Sequence, residues 1–214
     1  MTAPPPLPPL PPPLPPPLAE SDLDGLLAFL TAAEGLKTHV RSAHLSDGRA
    51  EGVAAHTWRV ALLALLLAPS VPGVDLGRLL AICLVHDLGE ALAGDVPAPE
   101  QARRLAADPG AAKADAERAD LLALLGPLPA ATRDYVAGLW EEYEGAATPE
   151  ARLAKAVDKL ETLLQHVQGQ NPPGFDYRFN LGYGRRYTEE PDVVRALRAR
   201  LDAATEVRAR GGQE

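Results

Sequence analysis

Cysteine is nearly missing from this chain: Cys83 is the only one in 214 residues. That excludes an intramolecular disulfide framework and a zinc site built from thiolates, and it fits a reducing, cytoplasmic setting. A basic excess is missing as well. Lys and Arg number 21 against 29 Asp and Glu, giving a formal charge of −8 and a pI of about 5.2. No broad cationic surface is therefore available for extended nucleic acid or acidic lipid. The N-terminus has neither the basic nor the apolar region of a signal peptide, and the longest apolar run, Val60 to Ala68, is too short to cross a bilayer. A cytoplasmic chain with no membrane partner is expected. No stretch alternates apolar and polar residues as a half-buried strand does, and no internal repeat is visible.

What is present is an ordinary globular composition, 46% hydrophobic and 23% charged, in a length that suits one domain. The expected division is a proline-rich disordered tail over 1–20 and a domain over 21–214. Residues 3–18, APPPLPPLPPPLPPPL, hold half of the 22 prolines. Such a run lacks the N–H donors for a helix or a sheet ladder and reads first as a stiff, solvated polyproline II extension and second as a docking segment for an aromatic-lined groove. From Ser21 onward the periodicity is helical, so the predicted class is all-α. SDLD offers a capping box before Leu23, Leu26, Leu27 and Leu30, predicting a helix to about Thr38. A second helix spans roughly Val53 to Ala68 and stops at Pro69. A third starts near Asp75 and carries LVHDLGEALAGD until Gly94 and Pro97 break it. Further helices are predicted over 99–107, 110–125 and 129–144, from Thr148 with Pro149 at the first helical position to about Gln170, and from Pro191 to Arg208. A Gly/Pro/Asn-rich loop from Asn171 to Tyr187 precedes the last of these.

The stretch LVHDLGEALAGD, residues 84–95, sets His86, Asp87, Glu90 and Asp95 within an otherwise apolar helical segment. A buried carboxylate beside a buried imidazole costs several kcal/mol, roughly, unless a charge compensates both, and a metal ion does so. His86 and Glu90 lie one helical turn apart and Asp87 is three residues from Glu90, so all three can project into one cavity. Ligands from one segment do not close a coordination sphere. Among the five histidines, 39, 44, 56, 86 and 166, His56 sits inside the strongly apolar EGVAAHTWRVALLA. Asp158 stands in line with Leu153, Ala154, Val157, Leu160 and Leu164 rather than on a solvent face. Taken singly, His56 can also be read as a core histidine, while for Asp158 a partner of Lys155 or Lys159, and for Arg41 a cation at a helix C-terminus, is the favoured reading. Cys83 reads as a small core residue, His39, His44 and His166 as exposed or supporting, and Arg185 and Arg186 as solvated.

The order H…HD…D, carried by LKTHVR, EGVAAHTW, HDLGEALAGDVP and AVDKLE from Leu36 to about Leu164, resembles the HD-domain metal-dependent phosphohydrolases. The closest branch is the one with bacterial and eukaryotic 5'-deoxynucleotidases. The resemblance implies an all-helical domain whose metal is held by His56, His86, Asp87 and Asp158. HD enzymes with two metals add histidines between the HD pair and the last aspartate, and residues 88–157 contain none. One divalent ion, Mn, Co, Fe, Ni or Zn, and hydrolysis of a monoester are therefore expected.

A divalent ion held by two imidazoles and two carboxylates leaves positions for water and a phosphoryl oxygen. Arg41, in the segment that the family aligns before its first ligand, is the expected phosphate cation, since a guanidinium matches two phosphate oxygens. Glu90 would orient the attacking water or protonate the leaving oxygen, and Asp95 would accept a sugar hydroxyl. Ser42 stands where an aromatic often follows the phosphate arginine in the bacterial nucleotidases, and Ala55 where an acid often precedes the first histidine. The expected substrate is a small phosphorylated molecule, a nucleoside 5'-monophosphate first, with a sugar phosphate or guanosine polyphosphate next. A non-catalytic metal-binding helical module is the reading from another class, and a homodimer is the expected assembly.

Overall fold

The computed structural model describes residues 13–97, 100, 103 and 113–211. Among these the elements are α1 (Leu23–Ala33), α2 (Gly35–Thr38), β1 (Val40–His44), β2 (Ala50–Gly52), α3 (Val53–Leu67), α4 (Leu76–Val85) and α5 (Glu90–Ala93), followed by α6 (Lys113–Leu125), α7 (Ala130–Gly145), α8 (Pro149–Gln168), α9 (Tyr177–Gly182) and α10 (Asp192–Gly211). The all-α class holds. The proline-rich tail as far as residue 12, and nearly all of the helix predicted over 99–107, lie outside the described residues. Residues 13–19 take no regular secondary structure.

Helix α8 organises the rest. The Thr148 hydroxyl accepts the Ala151 N–H and Pro149 occupies the first turn, the start that the Thr-Pro pair predicts; such a cap contributes about 1 kcal/mol. The helix then buries nearly every side, with Leu153, Val157, Leu160 and Leu163 in the core, and α3, α4, α7 and α10 pack around it. Polar residues are most expensive on a helix so enclosed, yet Asp158, Glu161, Thr162, Gln165 and His166 are all buried there. Each finds its partner on β1, α3, α7 or α9, and these partnerships build the site described below.

Helix α3 supplies the facing wall. By length and composition alone, Val53–Ser70 would pass for a membrane span, with a mean hydropathy of 1.4. In the fold it is a packed helix, with His56, Val60 and Ala64 buried and Trp58, Leu65 and Leu66 exposed. Helix α4 begins where Asp75 accepts the Arg78 N–H, and Leu79, Ile82 and Cys83 enter the core.

Four local features depart from the sequence reading. The chain contains a small antiparallel hairpin, β1 with β2, in which Val40 faces Gly52 and His44 faces Ala50. An Asp47-Gly48 turn closes it, Gly48 having φ 85°; strands of five and three residues are too short for alternation to show. The HD segment is not a continuous α-helix. After Val85 the N–H groups of Leu88, Glu90, Ala91 and Leu92 bond to the carbonyls three residues back, those of Val85, Asp87, Leu88 and Gly89. This is the tighter 3₁₀ pattern, in which residues three apart eclipse, so Asp87 and Glu90 fall in line. At the start of the domain, Asp22 accepts the Ala19 N–H and no capping box forms at Ser21; α1 ends at Ala33 and α2 restarts at Gly35. Finally, the predicted loop from Asn171 to Tyr187 contains α9, capped by Asp176 accepting the Arg178 and Phe179 N–H groups.

Candidate active site

The break between α4 and α5 brings His86 and Asp87 against α3 and α8. His56 on α3 is wholly shielded from solvent and His86 nearly so, their ring centroids 5.5 Å apart. The Nε2 atom of His56 lies 3.3 Å from Asp158 Oδ1 and 3.6 Å from Asp87 Oδ2, and His86 Nε2 lies 3.2 Å from that same Asp87 oxygen. The ligand atoms of His56, His86 and Asp158 all fall within 4.8 Å of one another. His56, the adjacent His86 and Asp87, and Asp158, from three separate segments of the chain, thus converge on one point.

The far side of each imidazole is fixed. His86 Nδ1 is bonded to the Cys83 carbonyl at 2.8 Å, and His56 Nδ1 to the carboxylate of Glu161. Both Nε2 atoms are buried and make no aligned hydrogen bond, their nearest acceptors being the Asp158 and Asp87 oxygens just given. Asp158 Oδ2 accepts from the Tyr143 hydroxyl at 2.6 Å and from Lys159 at 2.8 Å, which leaves Oδ1 for the cluster. Arg41 on β1 donates to the Thr162 hydroxyl at 3.0 Å, and its Nη1 lies 4.0 Å from Asp87 Oδ2.

The electrostatics follow from this packing. Burial and Arg41 disfavour a charged His56, but Asp158 and Glu161 outweigh them and raise its pKa to about 9. Burial works against the charge of Asp158, yet Lys159 and the imidazoles hold it well below the usual carboxylate range. Asp87 is held low in the same way, His86 being the main cause against burial. Burial would lower the Arg41 pKa, but Asp87, Asp158 and Asp95 raise it, so the guanidinium stays charged. Burial pushes the Cys83 thiol up to about 12, as suits a core residue. Glu51, His56 and Glu161 form a second group of ligating types, but Arg59 pairs with Glu161 and both Arg41 and Arg59 approach Glu51, so arginines supply its cations.

Glu90 and Asp95 line the same cavity as His86, Asp87, Asp158 and Arg41, a space of about 580 Å³. Asp95 follows Gly94, whose φ of 77° and close approach to His39, 2.6 Å from a Cβ placed there, require glycine.

A profile of the HD domain matches residues 33–198. The chain belongs to the HD-domain metal-dependent phosphohydrolases. Within that family it is similar to the 5'-deoxynucleotidase HDDC2 of Danio rerio, 26% identical over 197 residues that cover 90% of this chain and 94% of that protein. It is also similar to the 5'-deoxynucleotidase hdd1 of Schizosaccharomyces pombe, 30% identical over 149 residues, 65% of this chain and 70% of that one. Among solved structures, a "predicted metal-dependent phosphohydrolase" from Magnetospirillum magnetotacticum MS-1 superposes with a TM-score of 0.74 at 30% identity, covering 92% of this chain and 97% of that one.

The donor set of this HD-domain chain fits a divalent cation. Two neutral-nitrogen donors and two carboxylates suit borderline first-row metals, and the buried Nε2 atoms point where such an ion would sit. The supports on the far ring nitrogens are those that orient ligating histidines. Sequence reading had no role for Glu161 or Tyr143, which fix His56 and Asp158. It also set His166 among exposed or supporting residues and Arg185 and Arg186 in solvent. His166 is buried and takes the supporting place, bonded to Asn180, and both arginines are exposed, as expected, while also lining the cavity, Arg185 paired with Asp202. Of the two lysines weighed as partners of Asp158, Lys159 makes that contact and Lys155 pairs with Glu144.

Proposed function

We propose that this enzyme releases phosphate from nucleoside and deoxynucleoside 5'-monophosphates, using one divalent ion held by His56, His86, Asp87 and Asp158. The observation that carries the reading is the pair of buried imidazole Nε2 atoms that converge with two carboxylates, without an aligned hydrogen bond to either, beside a charged, immobilised arginine. The relatives' names, 5'-deoxynucleotidases, support the substrate class.

When bound, a divalent ion there supplies a Lewis acid that offsets phosphoryl charge and favours deprotonation of water. Arg41, held by Thr162, binds two phosphate oxygens and neutralises the charge that grows on them. A water oxygen attacks phosphorus as the P–O5' bond breaks, and the products are inorganic phosphate and the nucleoside. Glu90 handles a proton of this exchange, at the attacking water or at the leaving O5'. Asp95 accepts a hydroxyl of the sugar. Lys159 and Tyr143 keep Asp158 ionised and oriented throughout.

The test is phosphate release from a panel of nucleoside monophosphates, sugar phosphates and guanosine polyphosphates with Mn, Co, Fe, Ni and Zn, alongside elemental analysis of chelator-free protein. Preferred turnover of nucleoside 5'-monophosphates with one metal per chain is expected. Preference for sugar phosphates or polyphosphates, or two metals per chain, overturns it; metal binding with no hydrolysis would indicate a structural module.

Homodimerisation is the companion proposal. Trp58, Leu62, Leu65 and Leu66, at positions i, i+4, i+7 and i+8 of α3, expose one apolar face, which supports it. Sedimentation equilibrium of wild type and Leu66→Glu tests it, a monomer in both being the contrary result.

A further inference from the structure

Arg41, Asp95 and Tyr183 stand in the walls of two cavities, the one that holds the His–Asp cluster and a neighbour of about 540 Å³. The two differ in the kind of group they offer. Besides the ligand cluster, the first is lined by charged side chains, Lys155, Lys159 and Arg186 among them, and its own aromatic members, Trp140, Tyr143 and Tyr187, stand among those charges. The second is flanked by the rings of Phe175 and Phe179, with Ser42 near the shared wall and Asn180 and His166 among its lining.

The aromatic cavity is built by α9 and the segment before it. His166 and Phe175 meet edge to face at 4.8 Å, and Phe179 and Tyr183 lie 5.9 Å apart at an interplanar angle of 32°. Tyr183 is set at the junction by Gly184, whose φ is 63° and whose Cβ, if present, would stand 2.6 Å from Lys159. Asn180 is 1% exposed. Its Oδ1 accepts from His166 Nδ1 at 3.1 Å, while its Nδ2 is buried without a partner. An orphaned buried amide donor costs stability, and a ligand that supplies an acceptor removes that cost.

A phosphate bound by Arg41 beside the metal ligands therefore has, on the other side of that arginine, a slot with aromatic rings and one unused donor. Ser42 and Asp95 lie near the junction, where a sugar would join the two. A sugar phosphate would leave the slot empty, whereas a nucleobase fills it with a flat ring and an acceptor edge.

We propose that the base of the nucleotide occupies this second cavity, packed against Phe175 and Phe179 and hydrogen-bonded to Asn180 Nδ2. The inference rests on the nucleotide reading above and adds the residues that recognise the nucleoside. The measurement is the ratio of kcat/KM for thymidine 5'-monophosphate to that for 2-deoxyribose 5-phosphate, in wild type, Asn180→Ala, Phe179→Leu and Phe179→Tyr, each checked for folding by circular dichroism. The ratio should be well above one in wild type and fall roughly tenfold in Asn180→Ala and in Phe179→Leu, which keeps apolar volume but loses the ring. Phe179→Tyr, which keeps the ring, should restore most of it. An unchanged ratio in folded Phe179→Leu and Asn180→Ala overturns the inference. If wild type hydrolyses nucleotides no better than 2-deoxyribose 5-phosphate, the base cavity falls while the monophosphatase reading stands; if it hydrolyses no nucleotide, both fall.

Discussion

The imidazole of His56 is gripped on its Nδ1 side by Glu161, a carboxylate one turn of α8 beyond Asp158 and wholly shielded from solvent. One helix thus supplies a candidate ligand and the group that orients another. Arg59 donates to Glu161 at 2.6 Å, so the carboxylate is itself held in place and ionised. Burial would raise the Glu161 pKa, but the bond to His56 and the charges of His56 and Arg59 lower it. With Nδ1–H donating to Glu161, Nε2 is the nitrogen that faces the cluster, and a metal ion bound there would take the place of its proton.

Glu161→Gln should therefore weaken metal binding by about 10- to 100-fold, the usual effect of losing a carboxylate behind a ligating histidine. Competition with a chelator of known affinity reads this directly. Wild-type affinity in a folded variant would show that Glu161 serves packing alone.

Glu90→Ala should keep the metal and lose turnover by roughly 10²-fold or more, because proton transfer by a positioned carboxylate contributes on that order. Metal content and kcat, measured on one preparation, separate the two. Full activity, or loss of the ion, would assign Glu90 another role.

Arg41→Ala should lower kcat/KM for every accepted monophosphate alike, since in the proposed role the guanidinium would read phosphate rather than base or sugar. Arg41→Lys should restore little, because a point charge cannot hold two oxygens and the Thr162 hydroxyl together. Ser42 is exposed and lines the second cavity, and on the proposed reading it would enclose the sugar 2' position only loosely. Ribo- and deoxyribonucleotides should then differ by less than the ~10²-fold that apolar exclusion of a hydroxyl typically gives. Paired kcat/KM values test both points, and a strong deoxy preference would refute the second.

Stability should carry the mark of His166. Burial lowers its pKa from 6.5 to about 4, the Asn180 contact working the other way. Between those values the unfolded chain binds a proton that the folded chain does not, so stability rises with pH across this window. The loss is complete below about pH 4 and amounts to something on the order of 3 kcal/mol. Urea unfolding of chelated wild type and His166→Gln at pH 4.5 and 7 should show the smaller pH dependence in the variant; equal slopes would contradict the assignment.

How far the sequence reveals these groups depends on what marks each one. His56 and Asp158 are conspicuous because polar residues interrupt apolar helical faces, and Thr148-Pro149 because cap and proline act locally. Glu161 is visible in AVDKLE, and three-residue spacing places it on the face of Asp158, but a carboxylate on a helix usually means solvent. Only the enclosure of α8 makes it a buried partner. Tyr143 fits the apolar period of α7, so its bond to Asp158 leaves no trace in the pattern. The hairpin and α9 are too short to display a period, and their turn chemistry, Asp47-Gly48 and Asp176, is the one local sign. The tightened turn after Val85 shows in the backbone bonding alone, and the helical apolar spacing around it reads as one continuous helix.

Because Asp158, Glu161, Thr162 and Gln165 ride on a single rigid rod, their mutual angles are set by helical pitch alone. An extra residue inserted between Thr148 and Asp158 would turn everything beyond it by about 100° and carry it along by about 1.5 Å. The support of His56, the anchor of Arg41 and the Asp158 carboxylate would be misdirected together. The exposed Pro172–Gly174 bend after α8 imposes no such phase relation on them. Length changes are thus tolerable on one side of Gln168 and ruinous on the other, a frame-like constraint that point substitutions do not reveal.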